Sequence, residues 1–310
     1  MSSTPLEQLI SSVAPVGCRL INLPRRIWVF GGFVEPDLKQ PSASLRDSFW
    51  RQAFHAIPGR PWFAHLDRPE NHQGWWAFSG YDNLLQFERD ACYLASQTIL
   101  FSESPGAFAE LGALALDESI LPRLFVVVQG KFLEADERES FLNLGPLKRV
   151  DLHQHKCIIG SPEKATLNPD DFDAIIDTFE LSFDKKAHKS EELDVANPTH
   201  RLLLIADLVD LMLVSKVVDL QRALLHFKVA LNEAAINQAL NLLNFFGFVR
   251  LEMRGTEPFW VRLRGGDAPW MNYTSITAHI PFDRTRFKVE SEKLLQTDLR
   301  RKSMLERGAA

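Results

Sequence analysis

Short apolar runs alternate with longer amphipathic stretches through the first half of the chain, and this alternation restricts the fold more than any other feature. Ile27–Phe30, Thr98–Phe101 and Leu124–Val128 are strongly apolar, as expected for buried strands. Leu45–Ala56 and Leu84–Ala95 have apolar residues at helical spacing. Strands that alternate with helices predict an α/β fold with a mostly parallel sheet. We also expect weaker strands at Trp62–His65 and Lys156–Ile159.

The second half has a different pattern. His200–Val214, Asp219–Val229 and Glu233–Phe246 have the apolar spacing of helices, and two short strands follow at Val249–Met253 and Phe259–Leu263. A helix–turn–helix followed by a β-hairpin is the plan of a winged helix. The sequence therefore predicts a C-terminal winged helix-turn-helix domain.

Charge divides the 310 residues into two parts with different predicted roles. Residues 1–199 carry 19 Lys and Arg against 28 Asp and Glu, whereas residues 200–310 carry 16 against 12. We predict an α/β domain over residues 1–165, a helical connector over 166–199, the winged helix over 200–268 and a C-terminal tail over 269–310.

Basic residues of the second half gather in the predicted hairpin, at Arg250, Arg254, Arg262 and Arg264. The third helix has Glu233 as its one charged residue. We therefore expect the hairpin to contact a nucleic-acid backbone, rather than the helix to read bases in the major groove. The alternative is that this winged helix binds protein.

Cysteine usage and hydropathy point to a soluble cytoplasmic protein. The three cysteines, Cys18, Cys92 and Cys157, lie far apart without metal-ligand spacing, which fits reduced, buried thiols. The most apolar segment, Leu202–Val214, contains two aspartates and is too short to span a bilayer. We expect no metal site, no membrane contact and no secretory signal.

The most informative segment for function is Thr98–Leu114, where an apolar strand leads through Ser104-Pro105-Gly106 into a helix that carries Glu110. Ligands of open parallel sheets bind at the carboxyl ends of strands, beside helix N-termini. The free N–H groups there suit a phosphate, and Gly106 permits close approach. Glu110 could face the same crevice as a nucleophile at an anomeric carbon, or it could merely favour the helix dipole.

Gly31 and Gly32 follow the first strand and could let a nucleotide pass close to the backbone, although two such glycines often mark a simple turn. Because no GxGxxG pattern is present, a dehydrogenase is disfavoured.

The run ILFSESPGAFAELGAL resembles the active-site segment of nucleoside deoxyribosyltransferase-like N-glycosidases and, more closely, the effectors of type II retrons. Further matches are IWVFGG, Pro69-Glu70-Asn71, the helix around Glu88, the segment 140–146 and Arg300-Arg301-Lys302-Ser303. This resemblance covers most of the chain and is densest from residue 98 to 146. It implies a Rossmann-like, nucleoside deoxyribosyltransferase-type parallel sheet domain.

The resemblance also implies an activity. A glutamate, here Glu110, attacks C1′ of a nucleoside or nucleotide, and in retrons the substrate is NAD, which is consumed and is not a bound cofactor. Reverse transcriptase and multicopy single-stranded DNA (msDNA) hold the effector inactive until phage infection. Related transferases complete their sites across subunits, so a homo-oligomer is expected. The implied contacts are the pocket residues Gly31, Gly32, Ser104 and Gly106, then Glu88 at the ribose hydroxyls and Asn143 at the base or ribose.

One departure from the transferase pattern affects the expected reaction. Deoxyribosyltransferases have an aspartate a few residues before the nucleophile, whereas this chain has Glu103 and Ser104 there. That difference favours a glycohydrolase over base exchange. Glu70 could replace the missing acid if its loop folds over the pocket; otherwise it is an exposed loop charge.

Two other functions stay open on the sequence alone. The enzyme could act as a glycosidase or deoxyribosyltransferase on nucleosides or nucleotides with other bases. Alternatively, the α/β domain could bind a nucleotide without cleaving it, as in a nucleotide-sensing, DNA-binding regulator.

Overall fold

The computed structural model of the chain describes residues 4–56, 59–72, 74, 80–162, 165–183, 190–263 and 269–307. It divides into two compact units that each combine distant parts of the sequence. The sheet unit comprises Pro24–Gln73 and Asn83–Ala187, and the helical unit comprises Met1–Leu23, Gly74–Asp82 and His188–Ala310. Both units are discontinuous in sequence, unlike the predicted domains, whose boundaries stay a prediction.

Strands and helices are numbered here in chain order. The strands are β1 (Arg19–Leu20), β2 (Ile27–Phe30), β3 (Leu66–Asp67), β4 (Gln97–Ser102), β5 (Leu124–Gln129), β6 (Lys156–Ile159), β7 (Glu191–Glu192), β8 (Val214–Ser215), β9 (Val249–Arg254), β10 (Glu257–Arg262) and β11 (Met271–Asn272). The α-helices are α1 (Pro5–Ser12), α2 (Leu45–Ala56), α3 (Leu84–Cys92), α4 (Pro105–Ala115), α5 (Lys148–Asp151), α6 (Pro169–Phe183), α7 (Pro198–Met212), α8 (Val217–His226), α9 (Glu233–Phe245), α10 (Arg284–Leu295) and α11 (Leu299–Arg307).

The sheet unit is built on five parallel strands in the order β3-β2-β4-β5-β6. Every residue of β2 and β5 is buried, because helices cover both faces of a parallel sheet. Phe49 of α2 and Phe179 of α6 pack on one face, against Phe101 and Phe125 of the central strands. The predicted α/β fold with a parallel sheet is confirmed.

The strand predicted at Trp62–His65 is wrong, because Pro61–His65 form a 3₁₀-helix and β3 begins one residue later. Pro61 supplies the fixed φ that suits the first turn of a helix. Trp62 then stacks on Phe179, with 4.7 Å between ring centroids, and its indole N–H donates to Glu180.

The helical unit contains α7, α8 and α9, followed by the hairpin of β9 and β10. These elements occur in the predicted order. β8 pairs with β10, so the hairpin belongs to a three-stranded antiparallel sheet, β8-β10-β9. A second small sheet, β11-β1-β7, brings together residues near positions 20, 191 and 271.

A buried ion pair joins the first residue of α10 to α7. Asp207 is fully buried and accepts hydrogen bonds from both terminal nitrogens of Arg284, each at 2.9 Å. The same carboxylate accepts from the backbone N–H of Trp270 at 2.8 Å. The start of α10 and the backbone at Trp270 are thus bound to α7 by charge-assisted hydrogen bonds.

Candidate active site

The candidate active site lies where β2, β4 and β5 end. Because these strands are parallel, their carboxyl ends meet at one edge of the sheet, where such folds bind ligands. Gly31 and Gly32 follow β2, and Glu103 and Ser104 lie between β4 and α4.

The N-terminus of α4 has the features expected of an anion site. Ser104 is the N-cap residue, and its hydroxyl accepts from the N–H of Ala107 at 3.2 Å. Pro105 occupies the first helical turn, and Gly106 is exposed. A Cβ atom at Gly106 would meet no other atom within 4 Å, so the backbone there is open to a ligand.

Gly31 and Gly32 serve close packing of the protein itself. Gly31 has a φ of +149°, and a Cβ atom there would lie 2.9 Å from Cβ of Phe101. A Cβ atom at Gly32 would lie 2.6 Å from Cβ of Ser44 and 3.1 Å from a carboxylate oxygen of Glu103. Any larger residue at either position therefore displaces neighbouring side chains.

Glu103 binds the backbone of two neighbouring segments. Its carboxylate accepts from the N–H groups of Gly32 at 3.0 Å, Leu45 at 2.6 Å and Arg46 at 3.0 Å. It thereby satisfies free donors in the first turn of α2 and ties that helix to the loop after β2. The residue at the position of the transferase acid thus has a structural role here.

Arg46 places a buried cation at the site, and it was not among the residues predicted from the sequence. Its side chain is 3% exposed. Nη1 donates to the carbonyl oxygens of Gly31 at 3.4 Å and Gly32 at 3.2 Å, and Nη2 donates to Glu70. Nε is buried without a hydrogen-bond partner among the described residues. The signal in the sequence was the position of Arg46 next to Leu45, an apolar residue of the predicted helix α2.

Three predicted residues, Glu70, Glu88 and Glu110, are electrostatically coupled around Arg46, and we call these four residues the carboxylate cluster. Burial raises the pKa of Glu110 to about 7, with a further increase from Glu70 and an opposing effect of Arg46. Oε2 of Glu110 is buried and has no hydrogen-bond partner among the described residues. Glu70 is half-exposed, and its contact with Arg46 joins it to the other residues of the cluster.

Glu88 is the other strongly perturbed carboxyl group. It is 9% exposed, and burial raises its pKa to about 8, helped by the negative charges of Glu110 and Glu70 and opposed by Arg46. Glu88 and Glu110 are thus a coupled pair with raised pKa values, so near neutral pH one carboxyl of the pair can be protonated while the other is ionised. One carboxyl can donate a hydrogen bond while the other acts as a nucleophile, a separation of roles typical of glycosyl transfer.

Asn143 holds its own loop together. It begins a π-helical turn, Asn143–Leu147, and its side-chain amide donates to the carbonyl oxygens of Phe132 at 2.6 Å and Glu137 at 2.8 Å. A third contact, of 3.1 Å, joins the amide to the Ser140 hydroxyl. These bonds occupy the amide N–H groups within the loop, so a ligand contact would have to use the amide oxygen.

A cleft of about 300 Å³ opens beside the cap of α4. Its lining includes Gly32, Ser44, Ser104 and Gln129, and also Phe33, which is 65% exposed. The cleft thus lies at the carboxyl edge of the sheet and combines polar groups with an exposed aromatic ring.

The predicted nucleic-acid residues do not share one face of the hairpin. Arg250 and Arg254 lie an even number of residues apart on β9, so their side chains project to the same face. Arg262 pairs with Val249, the neighbour of Arg250, and therefore projects to the opposite face. Arg264 lies outside the described residues.

Within the described ranges, no cluster of three or more His, Cys, Asp or Glu side chains could hold a metal ion. No helix among them has the length and apolar character needed to cross a membrane. All three cysteines are free and buried.

The parallel sheet and the carboxylate cluster make the sheet unit an α/β module with a candidate ligand site at its carboxyl edge. The chain matches the profile of the STM3845 retron effector protein family over residues 42–251, more than half of its length. It belongs to this family of retron effectors.

Two Escherichia coli proteins share short segments with the chain. The "Retron Ec73 putative ribosyltransferase/DNA-binding protein" is 39% identical over 69 residues, which cover 22% of this chain and 21% of that protein. The "Retron Ec86 putative ribosyltransferase/DNA-binding protein" is 32% identical over 83 residues, which cover 27% of this chain and 26% of that protein. The chain therefore aligns with about a quarter or less of each relative.

Proposed function

We propose that this retron effector is an antiphage toxin that cleaves the N-glycosidic bond of NAD, with Glu110 as nucleophile. The observation that carries the proposal is the half-buried Glu110 carboxylate, set in the carboxylate cluster on the helix whose open N-terminus suits a phosphate. Membership in the retron effector family and the ribosyltransferase names of its relatives support it.

The proposed reaction assigns a step to each group. One oxygen of Glu110 forms a bond to C1′ of the nicotinamide ribose, and the bond between C1′ and nitrogen breaks, with its electron pair leaving on nicotinamide. Water then attacks C1′ and releases Glu110. Glu88, protonated near neutral pH, donates a hydrogen bond to the ribose hydroxyls, and the N–H groups near Gly106 bind the phosphates.

The role of Glu103 favours NAD over other nucleotides. Nicotinamide leaves NAD as a neutral molecule because its ring nitrogen is positively charged in the substrate, so no acid has to protonate it. An ordinary nucleobase departs more readily when an acid protonates it. Glu103, at the position of the transferase acid, has its carboxylate engaged by three backbone N–H groups.

Incubation of the purified protein with NAD and a panel of nucleosides and nucleotides, followed by mass spectrometry, tests this proposal. We expect nicotinamide and ADP-ribose from NAD and little free base from the other compounds. Release of another base at a higher rate would assign a different glycosidase. Tight nucleotide binding without any released base would support a sensor.

The pH dependence of the reaction provides a separate prediction. Because the ionised form of Glu110 is the nucleophile, kcat should rise with pH along an acid limb whose apparent pKa is about 7. Below that pH, the rate should fall about tenfold per pH unit. Single-turnover rates from pH 5 to 9 measure the limb. A rate independent of pH between 5.5 and 8 contradicts the assignment.

We further propose that the helical unit is a winged helix that holds msDNA together with reverse transcriptase in the cytoplasm. Its order of three helices and a hairpin and the DNA-binding names of the relatives support this proposal. At the hairpin turn, exposed Arg254 lines a cleft together with Gly255, Thr256 and Arg300, which is 67% exposed. Glu257 lines the same cleft and lies 3.6 Å from Arg300, but two exposed guanidinium groups outweigh its single negative charge and suit a phosphate backbone.

The double variant Arg254→Glu/Arg300→Glu should weaken binding of a structured DNA about tenfold or more, because two phosphate contacts become repulsive. The slope of log affinity against log salt concentration should also decrease. Fluorescence anisotropy with a labelled DNA hairpin measures both quantities. Arg286→Glu, a single charge reversal on α10 at a 77% exposed residue, is the control and should bind normally. Equal affinity of all three proteins would place the DNA surface elsewhere.

A further inference from the structure

Two buried polar atoms of complementary character lack a partner within the carboxylate cluster. Nε of Arg46 can only donate a hydrogen bond, and Oε2 of Glu110, when ionised, can only accept one. Neither has a hydrogen-bond partner among the described residues. Buried polar groups of folded proteins are nearly always paired, so an unpaired donor and an unpaired acceptor on two electrostatically coupled side chains point to a ligand.

Arg46 is held in one orientation, which gives its free Nε a defined direction. Its backbone N–H donates to Glu103, Nη1 donates to the carbonyl oxygens of Gly31 and Gly32, and Nη2 donates to Glu70. A guanidinium fixed on these sides is preorganised for a further hydrogen bond at low entropic cost.

The charge of the cluster indicates what kind of group fits. Glu70 pairs with the Arg46 guanidinium, and Glu88 and Glu110 both interact with it electrostatically, so the four residues together are neutral or negative even when Glu88 is protonated. A phosphate would meet repulsion there. A hydroxyl group is neutral, accepts from a guanidinium and donates to a carboxylate, and therefore satisfies both open atoms.

We propose that Arg46 determines specificity for ribose over 2′-deoxyribose, by donating from Nε to the 2′-hydroxyl that in turn donates to Oε2 of Glu110. This inference rests on the proposed function, which places Glu110 at C1′, the carbon next to C2′. A 2′-deoxy substrate leaves both atoms unpaired in a buried site, which disfavours its binding and its transition state.

The test compares NAD with its analogue that lacks the 2′-hydroxyl on the nicotinamide ribose. The ratio of kcat/KM for the two substrates is measured in the wild type, Arg46→Gln, Arg46→Lys and the control Arg89→Gln, a half-exposed residue of α3. Because the intrinsic reactivity of each sugar is the same with every protein, the change in this ratio reports the contact. Arg46→Gln should lower the ratio at least about tenfold, Arg46→Lys should lower it less, and Arg89→Gln should keep it.

The same variants also measure the effect of the Arg46 charge on Glu110. The positive charge of Arg46 lowers the pKa of Glu110. Arg46→Gln removes that charge and leaves Glu70 and Glu88 in place, so the acid limb should shift to higher pH. Arg46→Lys keeps the charge and should retain most of the wild-type limb. An unchanged substrate ratio in a folded Arg46→Gln protein overturns the inference and leaves the proposed function standing.

Ligand binding decides the inference if catalysis fails or if Arg46→Gln does not fold. The wild-type protein should be stabilised against heat more strongly by ADP-ribose than by ADP-2′-deoxyribose at equal concentration. Equal stabilisation by the two ligands overturns the inference. Absence of nicotinamide release by the wild type instead refutes the proposed function, so the two failures are distinguishable.

Discussion

Replacement of Glu110 by glutamine should abolish nicotinamide release from NAD, lowering kcat at least about a thousand-fold. The amide cannot form the glycosyl-enzyme bond, because it lacks the negative charge and nucleophilicity of the carboxylate. The fold should persist, since the Oε2 atom that changes makes no hydrogen bond with a described residue. The midpoint of thermal unfolding should stay level or rise, because a partly charged buried group becomes neutral.

Quantification of NAD and nicotinamide by mass spectrometry measures the effect, in the purified protein and in cells that express it without its partners. Glu139→Gln is the matched control, because Glu139 is an exposed glutamate of the sheet unit outside the cluster. It should retain full activity. A Glu110→Gln protein that still depletes NAD at the wild-type rate would show that another group attacks C1′.

Replacement of Glu103 by alanine should cause a large loss of stability, whereas Glu110→Gln should lose activity and keep its stability. Three backbone N–H groups lose a charged acceptor, and two of them belong to the first turn of α2. We expect the free energy of unfolding to fall by about 3 kcal/mol, after allowance for water that reaches these partly buried groups. Urea and thermal unfolding measure this loss, with Glu139→Ala as the control.

A catalytic acid at position 103 would give a different result. Glu103→Ala would then keep its stability and lose activity toward substrates whose leaving base needs protonation. Glu103→Gln separates the two roles further, because its amide oxygen can still accept backbone hydrogen bonds but cannot supply a proton. We expect Glu103→Gln to recover part of the lost stability.

Local patterns were sufficient to predict the parallel sheet and the position of α4. Apolar runs such as Leu124–Val128 determine a buried strand by themselves, and Ser104-Pro105-Gly106 carries a cap, a fixed φ and an open backbone within three residues. The segment Trp62–His65 was predicted wrongly because its aromatic residues suit strands as well as helices. Packing on Phe179 and the proline before it decide the outcome.

The electrostatics of the site depend on contacts between residues far apart in sequence. Arg46 meets Glu70, and both are coupled to Glu88 and Glu110, although 64 positions separate the first from the last. No local pattern reports that a guanidinium of α2 will be buried against loop carbonyls. The residue types were visible in the sequence, but their pairing follows from the order of strands in the sheet.

The small sheet β11-β1-β7 imposes an order on folding during synthesis. Strand β1 is made well before its partners β7 and β11, which come from residues 191–192 and 271–272. At ribosomal rates of about 5 to 20 residues per second, the strand waits roughly 10 to 50 s for both neighbours. The helical unit therefore completes only after residue 272 has been made, whereas every strand of the parallel sheet has already been made by residue 159. The sheet unit of a nascent effector could thus fold before the helical unit, which is proposed to bind DNA, is complete.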